Sequence, residues 1–251
     1  MAGGVALPAG YRLVAHESID STNAEAARQA RRGGPDGTVV WAGCQTAGRG
    51  RHGRCWESPE GNLYCSLLLR PEAPPGVAAQ LTFVAALALG EALDGVLPAG
   101  SNLAFKWPND VLLDGRKVAG ILLESSGSRS GRLDWLVVGC GVNVAHFPKH
   151  VAGYPATSLC AAGATKPQIS DLLAAFVRAF ALWRARWQGE GLGPVRDAWL
   201  ARAARIGGDV TVRLPGDELR GRFMGLDAGG ALLLDLPDGS RRTVTAGDVF
   251  F

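Results

Sequence analysis

Three arginines and three glycines fall within seven residues, Gly48-Arg49-Gly50-Arg51-His52-Gly53-Arg54. Glycine admits positive φ and lets backbone approach a ligand closely. Arginine brings a permanently charged planar fork that suits phosphate or carboxylate. The stretch therefore asks for an anion. Without one its charges should repel, so it is expected to be a mobile loop that orders around a polyphosphate or an adenylate. The letters also match G-x-G-x-x-G, the dinucleotide fingerprint, which needs a helix to start at the third glycine. Cys55-Trp56-Glu57-Ser58-Pro59-Glu60-Gly61 does not continue as a helix, so that reading fails. No G-x-x-x-x-G-K-[ST] occurs, which excludes a P-loop.

Four other stretches could do chemistry, and each also has a plain structural reading. Lys106-Trp107-Pro108-Asn109-Asp110 sets a cation and a carboxylate four residues apart, able to serve an anion and an amine; it could equally be a turn with a surface ion pair. Lys117-Val118-Ala119-Gly120-Ile121-Leu122-Leu123-Glu124 has a lone lysine at the start of a strand. Its interior glycine marks either a bulge or a ligand's approach. Gly139-Cys140-Gly141-Val142-Asn143 places two glycines and an amide in an apolar run, as a sheet bend or a binding edge. Ser21-Thr22-Asn23 caps a helix through Thr22 or presents donors to a ligand.

The elements around these stretches read as follows. Residues 11–19 form a strand. Thr22-x-x-Glu25 fits a capping box opening a helix to about Arg32, closed by Gly33-Gly34. Thr38–Gly43 and Asn62–Arg70 are strands around the arginine loop. Pro71–Gly76 is a linker and Val77–Leu93 a largely buried helix. Leu103–Trp107 is a strand stopped by Pro108. Val111–Leu113 and Lys117–Glu124 flank Asp114-Gly115, a hairpin signal. Leu133–Val144 is an apolar run. Gln168–Arg186 repeats apolar residues at helical spacing, and Pro194 starts another helix. After Ile206-Gly207-Gly208 come only short alternating strands, a small barrel of roughly 45 residues that would be marginal alone.

Composition sets limits on function. The 251 residues carry a net charge of +3 and are 47% apolar, as in a folded protein with one large and one small domain. Five cysteines form no C-x-x-C pair and no cluster with histidine, so neither a zinc site nor a disulfide framework is indicated, and reduced, mostly buried thiols are expected. Cys44 and Cys55, which bracket the loop, are read as buried or half-buried structural thiols. Met1–Gly10 lacks the pattern of a signal peptide. The apolar stretch Leu81–Leu93 is too short to span a bilayer. A cytoplasmic location is expected. The terminal barrel balances its arginines with acids and has one aromatic, Phe223, away from the terminus, so it offers no stacking platform for nucleic acid.

Taken together, the five stretches resemble the biotin protein ligase family. The matching pieces are Ser21-Thr22-Asn23; Gln45 through Arg54 with Trp56; Lys106 through Asp110; Arg116 through Glu124; and Gly141-Val142-Asn143, in the family's order. The resemblance implies an α+β fold: a class II synthetase-like catalytic domain, residues 1–205, with a mixed β-sheet flanked by helices. A small SH3-like β-barrel, residues 206–251, would follow. It implies that biotin and ATP give biotinyl-5′-AMP, with Mg²⁺ bridging phosphates and no dedicated protein metal site, and that biotin then passes to a lysine of a biotin carboxyl carrier domain of a carboxylase. Lys117, Arg51, Asp110 and Lys106 are the implied catalytic residues. Lys117 would sit between the biotin carboxylate and the α-phosphate, Lys106 on the phosphate side, and Asp110 would orient or deprotonate the acceptor lysine. Arg51 and Arg54 would contact phosphate and adenylate, with Gly48 and Arg49 near biotin and Gly50 in the same loop. Ser21, Thr22, Asn23, Gln45 and the backbone of Gly120 would hold the ureido ring. Trp56 and Trp107 would wall the pocket or stack near the adenine, and Asn143 would meet adenine.

Only some 20 residues precede Ser21, so the resemblance is to the monofunctional type, without the DNA-binding domain of bifunctional members. The family includes monomers and homodimers. The nearest alternative is a lipoate or octanoate ligase or transferase, which is not expected to carry this arginine loop; a nucleic-acid-binding protein is the alternative from another class.

Overall fold

The computed structural model describes residues 4–127, 131–149 and 154–251, so the first three residues of the Met1–Gly10 segment lie outside it. Its centre is a seven-stranded mixed sheet. The strands are β1 (Arg12–Ile19), β2 (Thr38–Gln45), β3 (Leu63–Leu69), β4 (Leu103–Lys106), β5 (Asp110–Leu113), β6 (Arg116–Gly127) and β7 (Leu133–Val142), in the order β1-β2-β3-β7-β6-β5-β4. β1 and β2 are parallel, joined through helix α1 (Thr22–Arg31); the other neighbours are antiparallel. Asp114 and Gly115 take positive φ and close the β5–β6 hairpin at the expected turn.

Strand alternation separates two layers. On one face Ala26 and Ala30 of α1 pack on Val40, Leu68 and Val137. The other face carries the main core beneath α2 (Pro75–Ala78), α3 (Leu81–Asp94), α4 (Ile169–Glu190) and α5 (Leu192–Leu200). The linker is thus shorter than expected, because Pro75 starts a short helix with its own fixed φ. Pro75–Asp94 meets the length and apolarity of a membrane span, but 67% of that window is buried inside the fold.

After α5 a second, five-stranded antiparallel sheet follows: β8 (Asp209–Leu214), β9 (Asp217–Leu226), β10 (Leu232–Asp235), β11 (Arg241–Val244) and β12 (Asp248–Phe250), ordered β11-β10-β9-β8-β12. The last of the alternating stretches expected after Gly208, residues 243–249, is divided between two strands, with residues 245–247 breaking them where the chain crosses from β10 to pair with β8. The sheet is not a free-standing unit. Its Val212, Phe223, Leu232 and Leu234 join the main core, and Trp107 Nε1 donates to Gly230 O at 3.1 Å.

Candidate active site

Sheet register builds a floor for the site. Gly120 on β6 pairs directly with Gly141 on β7, and Gly139 lies two residues before it on the same face. Removing three Cβ atoms from adjacent positions opens a trough. A Cβ at Gly139 would lie 2.0 Å from Asn23 Oδ1, and one at Gly141 2.6 Å from the Trp56 indole. These glycines therefore do not bend the sheet; they let α1 and the arginine loop press onto it.

The start of α1 is a network of fixed polar groups. Ser21, not Thr22, is the N-cap, and its hydroxyl accepts from Ala24 N. The predicted capping box fails because Thr22 has another partner: its N–H and hydroxyl both donate to Gln45 Oε1, at 2.8 and 3.1 Å. Glu25 bonds Arg28 and Gln29 instead of returning to the cap. Ser66, fully buried, donates to Asn23 Oδ1 at 2.6 Å and lies 2.8 Å from Thr22 Oγ1. Asn23 Nδ2 donates to Glu124 Oε2 at 2.8 Å. Buried polar groups this fully engaged define a rigid end to the cleft.

The arginine loop is a hairpin-like excursion closed by Trp56 N donating to Gly48 O, with a 3-10 turn at Arg51–Gly53. Each of its arginines meets a carboxylate. Arg51 donates to Asn109 Oδ1 and to Gly247 O, and with Arg54 it pairs to Asp248 of β12; Arg49 pairs with Glu124 at 2.9 Å. The expected repulsion is thus met by carboxylates from β6 and from the C-terminal sheet. Burial works against the Asp248 carboxylate, but Arg54 and Arg51 prevail and hold its pKa below the ordinary value.

At the other end Lys106 and Asp110 face each other across the β4–β5 pair, with Nζ 2.9 Å from Oδ2. Lys117 Nζ lies 2.6 Å from Asp110 Oδ1, outside hydrogen-bond alignment. Burial pushes the Asp110 pKa up, the two lysines push it down, and the lysines win. Lys117 also sits 5.3 Å over the Trp56 ring, and Lys106 5.1 Å over Tyr154.

Between these groups lies a cleft of about 640 Å³. Ser21, Thr22, Asn23, Gln45, Arg49, Gly50, Arg51, Arg54, Trp56, Lys106, Asp110, Lys117, Gly120 and Asn143 all line it. Two expected residues do not. Trp107 points into the core, 3% exposed, and is held by Gly230 O. Gly48 lies outside the lining, and a Cβ there would meet Trp56 O at 2.3 Å, so its role is to let the loop close. Asn143 has its amide donating to Thr157 O at 3.0 Å. Cys55 is exposed and only Cys65 and Cys140 are buried, contrary to the expected burial; Cys44 is half-buried. The C-terminal sheet adds Arg213, Asp248 and Phe250 to the lining, and Tyr154 and Asn109 join from nearby loops. Only Asn109 stands in a noted stretch; nothing in the spacing of the others announced them. The buried Trp56 Nε1, pressed against the sheet at Gly141, has no hydrogen-bond partner among the described residues.

Residues 15–143 match the biotin/lipoate A/B protein ligase family, and residues 206–251 match the biotin protein ligase C terminal domain. The chain is 47% identical over 247 residues to a biotin–[acetyl-CoA-carboxylase] ligase of Paracoccus denitrificans, covering 92% of this chain and 97% of that one. It is 34% identical over 242 residues to the bifunctional ligase/repressor BirA of Bacillus subtilis, covering 94% and 73%. Among solved structures, biotin protein ligase from Aquifex aeolicus in complex with biotin and ATP superposes with a TM-score of 0.79 at 28% identity, covering 95% and 97%. The Leishmania major biotin protein ligase in complex with biotinyl-5-AMP gives 0.65 at 26%, covering 94% and 99%.

Proposed function

The chain belongs to the biotin/lipoate A/B protein ligase family and carries the biotin protein ligase C-terminal domain, and from that premise we propose how its cleft carries out ATP-dependent biotin ligation. The enzyme activates biotin with ATP and transfers it to a lysine of a carrier protein, the biotin carboxyl carrier domain of a carboxylase. In the first half-reaction a biotin carboxylate oxygen attacks the α-phosphorus, the bond to the β-phosphate breaks, and pyrophosphate leaves. In the second, the acceptor amine attacks the acyl carbon, the C–O bond to AMP breaks, AMP leaves with the electron pair, and the amine loses a proton.

The observation that carries the assignment of roles is the cleft's polarity. Thr22, Asn23 and Gln45 form a fixed donor and acceptor array at one end, suited to a ureido ring. Lys106, Lys117, Arg51 and Arg54 form a cationic wall at the other. Two anionic substrates repel, and catalysis here consists of bringing them together and stabilising the charge that builds between them. Lys117, at the edge of the glycine trough and aimed by Asp110, sits between carboxylate and α-phosphate. Arg51 and Arg54 exchange Asp248 for phosphate. Asp110 orients the two lysines and the incoming amine; with its pKa pulled down it is a poor base, so the acceptor's proton departs by another route. That amine, with an ordinary pKa of about 10.4, must still be delivered neutral. The loop's cover keeps water from the anhydride.

Among the described residues no three His, Cys, Asp or Glu side chains gather as a metal site. The cleft's Asp110 and Asp248 are each held by basic partners. This suits an Mg²⁺ ion carried by the substrate's own phosphates, which is its usual mode, where it would screen their charge. The reaction belongs in the ATP-supplied cytoplasm.

ATP–pyrophosphate exchange with biotin and with lipoate supplied separately tests the reading. Exchange driven by biotin alone is expected. Exchange driven by lipoate and not by biotin would overturn it.

A further inference from the structure

Glu124 stands apart from the groups above: it is not among the residues lining the cleft, yet one of its oxygens ties the start of α1 to the arginine loop. Oε2 accepts from Asn23 Nδ2 at 2.8 Å and from Arg49 Nη2 at 2.9 Å. Asn23 belongs to the rigid array at the start of α1, and its amide orientation is set by Ser66 on one side and Glu124 on the other. Arg49 is the loop arginine that does not pair with Asp248. Glu124 reaches both because β6 alternates: Gly120, Leu122 and Glu124 share one face, opposite Gly141, Gly139 and Val137 of β7. The Glu124 and Arg49 side chains are 31% and 46% exposed, and ion pairs so exposed add little to stability. What a shared, charge-assisted acceptor does supply is position: neither donor can shift without disturbing the other.

We propose that Glu124 is a positioning residue that keys the first arginine of the loop to Asn23, so that the loop takes its working place only when the acid-recognition end of the cleft is correctly formed. This rests on the reading of the cleft as a biotin site. Glutamine at this position keeps an oxygen for Asn23 but gives up the charge that holds Arg49; alanine loses both contacts.

The test uses the full chain and biotin-dependent ATP–pyrophosphate exchange, with Michaelis constants for biotin and ATP measured separately. Glu124→Gln should raise KM for biotin about five- to tenfold while KM for ATP stays within about twofold, and Glu124→Ala should raise it further. The thermal midpoint of Glu124→Gln should match the parent. In a double-mutant cycle with Arg49→Met, the paired variant should be no worse than Arg49→Met alone, since the two act through one contact. An unchanged biotin KM in Glu124→Gln, or strictly additive effects in the cycle, would overturn the proposal. A parent enzyme with no biotin-dependent exchange would instead overturn the functional reading on which it rests.

Discussion

Asp110 shows how a residue's role depends on its neighbours. As a free aspartate four residues after a lysine it could serve as a base or as an anchor. Burial alone would favour its neutral form, yet Lys117 at 2.6 Å and Lys106 at 2.9 Å keep it ionised. A carboxylate so held is a strong orienting group and a weak proton acceptor. The lysine it aims at the cleft should therefore matter most for activation. Lys117→Ala is expected to lower biotin-dependent pyrophosphate exchange by about 10²- to 10³-fold, the loss typical of one preorganised charge stabiliser. The cost in stability should be only about 1–2 kcal/mol, because Lys106 still pairs with Asp110. A variant exchanging at the parental rate would remove Lys117 from the mechanism.

At the scale of elements, the trough between β6 and β7 explains why an apolar strand carries glycines in alternate positions. Alternation puts Gly139 and Gly141 on one face, and pairing sets Gly120 beside Gly141. The helix start and the loop then approach the strand backbone at distances no side chain permits. Gly139→Ala should force Asn23 out of its place. The expected result is a rise of tenfold or more in KM for biotin together with about 1–3 kcal/mol of lost stability, the usual cost of overpacking a filled site. Chemical denaturation and exchange kinetics on the same preparation check both. Parental values for both would mean that Asn23 can move aside freely and that the trough is not tightly packed.

For the whole molecule, the cleft is shared between two sheets. Asp248, about 200 residues beyond the loop, completes the charge balance of Arg51 and Arg54, while Trp107 and Gly230 hold the sheets together. The acidic groups of this arrangement also set its response to pH. Asp20, bonded by Arg28, has its pKa lowered to about 2 from 3.8. Asp110 and Asp248 are lowered as well, against the opposing effect of burial. A carboxylate whose folded pKa lies below its unfolded one contributes stability that is complete above the unfolded value and is lost as pH falls through the folded one. The thermal midpoint should therefore lose nothing to these groups between about pH 7 and 5 and should fall steeply from about pH 4 towards 2. Asp110→Asn should flatten that fall. A midpoint that held or rose below pH 4 would contradict the assignment of these groups.

Much of this protein was legible in its residues taken in order. The local signals were strong where the cause is local: hairpin chemistry at Asp114-Gly115, helical spacing through Phe176 and Phe180, alternation after Gly208, and an arginine loop whose following residues cannot be helical. The five chemistry-bearing stretches also pointed to one family, and most of their residues do line one cleft. What the order of residues could not decide was direction and partnership. Whether Thr22 caps or turns to Gln45, and whether Trp107 walls a cleft or enters a core, depends on strands far away in the chain. The same holds for how three loop arginines are neutralised. Asp248 meets them only after the second sheet has docked on the first, and Glu124 only after β6 has taken its place within the first; neither lies at a spacing that local geometry could single out. Side-chain type and local periodicity determined the elements and the kind of chemistry; long-range packing, which chooses among equally allowed rotamers and ion partners, decided which atoms face the substrate.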